Sequence, residues 1–88
     1  MLNFKFEEGE QNARFTLYDD EIRIGEIDFK WKKEDSISIY HTLVKKEFQE
    51  KGYGKKLVDK VIEYAKENQL NLSASCWFAD KVIQSYHA

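Results

Sequence analysis

Apolar and polar residues change period twice along this chain, and the changes mark its elements. Ala13, Phe15 and Leu17 alternate with Arg14, Thr16 and Tyr18, the period of two expected of a half-buried strand. Asp19-Asp20 reads as a turn, and the following segment pairs back as a hairpin. There Ile22 and Ile24 occupy one face, whereas Ile27 and Phe29 have the opposite parity. A one-residue slip at Gly25-Glu26, a β-bulge, would reconcile them. Lys32 to Asp35 forms a second charged turn. Ile37, Ile39, His41 and Leu43 then alternate with Ser36, Ser38, Tyr40 and Thr42, predicting a third strand over 36–44 with His41 on its apolar face. Next the period lengthens. Leu57, Val58, Val61, Ile62 and Ala65 form one apolar stripe, with Lys56, Asp59, Lys60, Glu63 and Lys66 facing water, which predicts a helix over 55–67. Asn68 is placed to take the left-handed conformation that ends a helix. Leu70, Leu72, Ala74 and Cys76 alternate as a further strand. Phe78, Val82, Ile83 and Tyr86 fit a short final helix.

The expected fold is therefore α/β (α+β): an antiparallel meander, then a strand–helix–strand unit whose strands are parallel and joined by a right-handed crossover, then a short C-terminal helix. Eighty-eight residues suit one domain, 1–88, with a modest core. Apolar residues make up 42% and aromatics 15%, a globular composition rather than a disordered one. The chain has no proline, repeat or low-complexity tract, so its breaks fall at Gly, Asn, Asp and charge clusters. One cysteine forms no internal disulfide. No signal peptide or membrane span is visible, and a cytoplasmic protein is expected. A pI near 5.7 gives no general attraction to nucleic acid or anionic membranes.

The stretch Gln49-Glu50-Lys51-Gly52-Tyr53-Gly54 joins the third strand to the helix. Glycines at such a junction let the backbone turn tightly and leave N–H groups exposed with no side chain in the way. A helix starting there adds unpaired N–H donors and the positive end of its dipole. That combination binds phosphate. From Lys45 to Lys56 five lysines stand against two glutamates, an excess of +3 on a chain of net charge −2. Read blandly, the same residues are a glycine turn with solvated lysines around it.

Other motif readings fit less well. Lys51-Gly52-Tyr53-Gly54 opens like the first RNP motif of RNA-recognition domains, but Lys55 and Lys56 replace its Phe and Val and the segment is helical in period. A P-loop needs an earlier glycine and a hydroxyl after Gly54-Lys55; a dinucleotide fingerprint needs a third glycine where Leu57 stands. His41, His87 and Cys76 show no ligand spacing, so no metal is expected.

Gln49-x-x-Gly52-x-Gly54 resembles the Q/R-x-x-G-x-G/A signature of the GNAT superfamily of acyl-CoA-dependent N-acetyltransferases. The run Tyr40-His41-Thr42-Leu43-Val44, with Phe48, Gly52-Tyr53-Gly54 and Leu57-Val58, is similar to the pattern of its very small members, where a cysteine follows at the end of the next strand, as Cys76 does here. The likeness covers about Ile37 to Tyr86. It implies that the strand before the loop splays from its parallel neighbour and admits the pantetheine arm of acetyl-CoA. Leu43 and Val44 would then offer backbone groups to the pantetheine. Gln49, Lys51, Gly52, Tyr53, Gly54 and Lys55 would surround the pyrophosphate, with Lys45, Lys46 and Lys56 nearby. The resemblance also implies losses: the helices that normally follow the first strand and the final hairpin are missing, leaving an open acceptor site.

The implied reaction is acetyl transfer from the thioester to an amine acceptor. Histidine ordinarily titrates near neutrality, so His41 can serve as base; its strand parity equally suits a packed core residue. Cys76 ends a strand where a helix begins, a place that can activate a thiol; it equally suits a small buried hydrophobe. The family's tyrosine acid follows an N-x-x-A-x-x-x-Y pattern, but here Ala79 is followed four residues later by Ile83, with Tyr86 one turn further, a departure that leaves the leaving-group acid unassigned. The alternative function is a module that holds or senses acyl-CoA without turnover. No nucleic acid or membrane partner is expected.

Overall fold

A computed structural model describes residues 1–75 and 77–85. Among the described residues the elements run β1 (Leu2–Glu8), β2 (Asn12–Asp19), β3 (Ile22–Lys33), β4 (Ser36–Val44), a 3₁₀ turn (Lys46–Phe48), α1 (Tyr53–Glu67), β5 (Asn71–Ala74) and α2 (Trp77–Ser85). The strands form one sheet in the order β1-β2-β3-β4-β5. The first four are antiparallel neighbours, whereas β4 and β5 run parallel, with Ser36 opposite Asn71 and Ile39 opposite Ala74. The fold class matches the expected meander followed by a parallel strand–helix–strand unit.

The core lies between the sheet and its helices. Leu17, Ile27, Phe29, Ile37 and Ile39 of the sheet meet Leu57, Val58 and Val61 of α1, and all are fully buried. Each such side chain contributes about 1.5–3 kcal/mol through removal of apolar surface from water. Tyr64 caps this core among aromatic rings, with Phe6, Phe15 and Phe29 centroids 5.5, 5.8 and 5.4 Å away. Burial there, and secondly the charge of Glu8, push its phenol above the ordinary tyrosine pKa.

Several expectations change in detail. Leu2, Phe4 and Phe6 alternate with polar residues in β1, an edge strand on which only Phe4 is even half-buried. The first bulge falls one residue before Gly25-Glu26: Leu17 faces Gly25 and Tyr18 faces Arg23, so Ile24 is the extra residue. Gly25 itself is needed for another reason. A Cβ there would collide with the Leu43 carbonyl oxygen and lie 3.1 Å from the Val44 Cα. The second charged turn is tighter than 32–35, since β3 runs through Lys33. α1 begins at Tyr53, two residues earlier than its apolar stripe indicates. Its left-handed terminator is Gln69 (φ 56°), while Asn68 (φ −105°) instead donates its side-chain amide to the Tyr64 carbonyl at 2.9 Å. Cys76, Tyr86 and His87 lie outside the described residues. No helix among the described residues is long and apolar enough to cross a membrane.

Candidate functional site

The site begins with a second bulge. Asp28 faces His41 and Phe29 faces Ile39, so Tyr40 is the extra residue in β4. A one-residue slip moves every later side chain to the opposite face. Thr42 and Val44 therefore turn towards the helices, and His41 and Leu43 turn away. Pairing of β4 with β5 stops at the same point: Ile39 faces Ala74, and the Ser75 N–H donates to the Ile39 carbonyl at 2.9 Å. Among the described residues, His41 to Val44 pair with β3 and not with β5, so the two parallel strands part.

Into that gap opens the start of α1. Glu50 (φ 65°) and Gly52 (φ 82°) both take the left-handed conformation, and Gly52 is the helix N-cap. The first helical hydrogen bond runs from the Lys56 N–H to the Gly52 carbonyl at 3.2 Å. The amides of Tyr53 and Gly54 precede it, so they have no intrahelical acceptor. Among the described residues no side chain caps this end and no acidic residue lies in the first turn, so the positive pole of the dipole is left without a carboxylate in that turn. A Cβ on Gly52 would meet nothing within 4 Å, because the space beyond it is open. The open space is a cleft of about 500 Å³ lined by Thr42, Val44, Phe48, Gln49, Glu50, Gly52, Tyr53, Gly54, Lys55 and Phe78. Gln49 ties its two walls together by donating its side-chain amide to the Val44 carbonyl at 3.1 Å.

The other face of the sheet carries a charge cluster. Glu26 and Asp28 side chains are only 11% and 8% exposed. Arg14 bridges them, with Nε donating to Asp28 Oδ1 at 2.7 Å and Nη2 lying 3.0 Å from Glu26 Oε2. The Asp28 hydrogen bond raises the already high Arg14 pKa further. Arg23 donates to Glu26 Oε1, and His41 Nε2 lies 3.5 Å from Glu26 Oε2. Glu26, Asp28 and His41 thus bring ligand-type atoms within 4.8 Å of one another, a grouping that the sequence spacing does not show. Both carboxylates are already engaged by arginine.

Comparison with known proteins settles the lineage. The family model for GCN5-related N-acetyl-transferases matches residues 14–88. The chain belongs to this family. A GCN5-like protein from Staphylococcus aureus, solved by NMR, is 36% identical, superposes with a TM-score of 0.69, and is matched over 93% of this chain and 79% of its own. The fold alone is shared at 18% identity with two others. One is a Bacillus subtilis acetyltransferase in complex with CoA (TM-score 0.77; 97% of this chain, 74% of that one). The other is the Escherichia coli ribosomal-protein-S18-alanine N-acetyltransferase (TM-score 0.74; 90% and 54%), of whose length this chain spans about half. No curated protein shows a significant sequence match.

Against this GNAT fold the expected site residues divide. Val44, Gln49, Gly52, Tyr53, Gly54 and Lys55 do line the cleft, whereas Leu43 and Lys51 do not. Leu43 lies on the far face with its side chain exposed, because of the Tyr40 bulge. Lys51 is exposed to solvent. Lys55 reaches Asp59 Oδ2 at 3.1 Å, which offsets part of its charge. His41 is not in the apolar core its sequence parity suggests: the same bulge turns it to the polar face, 44% exposed. Thr42, Phe48 and Phe78 are lining residues that sequence reasoning did not assign, and Glu50, within the segment Gln49 to Lys55, lines the cleft as well. Phe78 has a detectable reason: a Cβ on Gly54 would lie 3.0 Å from its ring, so Gly54 is small partly to let α2 pack against α1.

Proposed function

We propose that the chain acts as one acetyl-CoA-binding domain that transfers the acetyl group to an amine. The observation that carries this reading is the cleft itself, where a parted parallel strand meets an uncapped helix start at an open glycine. The residues present fit a diphosphate: amides at Gly52 to Gly54 provide donors, and Lys45, Lys46, Lys51, Lys55 and Lys56 provide positive charge around them. Each exposed lysine adds about 1 kcal/mol or less, so the amides set the geometry and the lysines steer the ligand. At Leu43 and Val44, β4 pairs with β3 and has no β5 partner among the described residues, so its main-chain groups on that side, beside the Val44 carbonyl that Gln49 occupies, are offered to the pantetheine. Bound there, acetyl-CoA supplies an activated acetyl group.

The acceptor must attack as a neutral amine. Its nitrogen forms the new bond to the carbonyl carbon as the carbon–sulfur bond breaks, and the thiolate takes the electron pair. The proton released by the nitrogen finally reaches the thiolate to give free CoA. His41, which lies on the sheet face opposite the cleft lining, takes it on the way if the acceptor approaches from that face through the gap between β4 and β5. Cys76 is the second candidate, as an acyl carrier or as an aid to departure of the thiolate.

Incubation with acetyl-CoA and a panel of amines, followed by thiol release and intact mass, tests the reading. Acetylated amine and free CoA are expected. Binding without CoA release for any amine would favour a holding or sensing module. A protein mass increase of one acetyl group, lost in Cys76→Ala, would assign the covalent route. Unchanged transfer by Cys76→Ala would favour direct attack by the amine and leave His41 as the next base candidate.

A further inference from the structure

We infer that β1 is an interface through which two copies of this chain pair edge to edge into one continuous sheet. The inference is independent of the cleft and of the transfer chemistry. β1 is an outer strand of seven residues, and its ladder with β2 runs without a bulge from Leu2 opposite Asp19 to Glu8 opposite Ala13. The two ends of that ladder show where its main-chain groups point. The Asp20 N–H donates to the Met1 carbonyl at 3.0 Å, and the Gly9 N–H donates to the Asn12 carbonyl at 2.7 Å. Bonded pairs alternate along an antiparallel ladder, so Asn3, Lys5 and Glu7 turn their main chain to β2. Leu2, Phe4, Phe6 and Glu8 turn theirs outward, where no strand among the described residues meets them.

A free edge of this kind is a template for another strand, and proteins that stay single blunt it with proline, a bulge or lysine. β1 has no proline and no bulge. Its apolar face is not closed either: Leu2 and Phe6 are 39% and 40% exposed, although Phe6 stacks 5.5 Å from Tyr64. Its one lysine, Lys5, has Glu7 two positions on and on the same face, which makes the edge self-complementary. With a twofold axis through Phe6, perpendicular to the sheet, Phe6 faces Phe6 of a second copy, and Lys5 of each copy faces Glu7 of the other. Phe4 faces Glu8, which comes beside Lys60, whose Nζ lies 5.4 Å from the Phe4 ring. The outward groups of Phe4, Phe6 and Glu8 form the bonded pairs. Lys5 and Glu7 fall at the unbonded positions between them, where Cα atoms approach to about 4.5 Å. Opposite charges there are favourable and like charges unfavourable. Moving the axis to Lys5 or to Glu7 sets that charge against itself, and moving it to Phe4 sets Lys5 against Asn3. Within its own chain Glu7 stands across from Arg14, but that guanidinium is held by Asp28 and Glu26.

The test is sedimentation equilibrium of the untagged chain from about 10 μM to about 1 mM, a range that spans micromolar to millimolar dissociation constants. The mean mass should climb from 10.5 kDa towards twice that value. Lys5→Glu sets like charges at both symmetric positions and should weaken association at least about tenfold, and Glu7→Lys should do the same. Lys5→Glu and Glu7→Lys together in one chain restore opposite charges, so the dissociation constant should return to within about threefold of wild type. Thermal melts of dilute protein check that each variant folds. Amide exchange of the wild type needs no variant at all. Exchange at Phe4, Phe6 and Glu8 should slow as concentration rises, whereas at Lys5 and Glu7, already bonded to β2, it should not change. A mass that stays at 10.5 kDa throughout, or association indifferent to Lys5→Glu, would overturn the inference. So would a folded double variant that fails to associate, or fast exchange at Phe4, Phe6 and Glu8 in the associated protein.

Discussion

Gly52→Val should lower acetyl-CoA affinity by at least about tenfold, or ~1.4 kcal/mol. At φ 82° the native backbone is left-handed, which costs a residue with a Cβ about 1–2 kcal/mol and a β-branched one more. The chain relieves that strain by leaving the conformation, which turns the Tyr53 and Gly54 amides away from the ligand. Part of the cost will appear as stability, at about 4–8 °C in Tm per kcal/mol for a chain of this size. Gly52→Asn separates the two effects. Asparagine tolerates the left-handed conformation, so Tm should stay near wild type. Its side chain still enters the open space, so affinity should still fall. Calorimetric titration beside thermal melts reads both numbers. Loss of stability without loss of affinity in either variant would make the loop a structural turn and nothing more.

Phe29→Ala should be the most damaging single change. The ring is fully buried, stacks 6.2 Å from Phe15 and lies tilted 5.4 Å from Tyr64, joining β3 to β2 and α1. Phenylalanine-to-alanine changes in such places cost about 3–5 kcal/mol, against a total of roughly 5–15 kcal/mol for a domain. A fall in Tm of about 15 °C or more is expected by circular dichroism. Phe6→Ala is the control: that ring also touches Phe15, but it is 40% exposed on the edge strand and should cost far less. Equal costs for the two would mean that the core is not organised around β3 and α1.

Much of the fold was legible because the elements keep their periods. The alternation in β2 and β4 and the stripe of α1 each predicted an element close to the one observed. What escaped notice depends on strand register, which the local pattern does not carry. Ile37, Ile39, His41 and Leu43 continue an apparently regular alternation, and only the bulge at Tyr40 places His41 and Leu43 on the opposite face from Ile39. The bulge can pass unnoticed because Leu43 is an exposed leucine that keeps the pattern intact. The charge cluster was hidden for the same reason. Arg14, Glu26, Asp28 and His41 come from three strands and meet only through cross-strand pairing. The glycine loop was legible because its chemistry is local. Its second glycine proved to serve packing as well, since Phe78 lies against Gly54 from an element that follows much later in the chain.

The central claim is that acetyl-CoA occupies the cleft between the parted end of β4 and the start of α1. Amide chemical-shift mapping with ¹⁵N-labelled protein tests it most directly. On titration with acetyl-CoA, shifts should concentrate at residues 42–55 and at Phe78, with β1 and β2 nearly unmoved; an oligonucleotide should leave the spectrum unchanged. Shifts centred on Phe15, Ile27 and Ile39 that appear with oligonucleotide and not with acetyl-CoA would contradict the account.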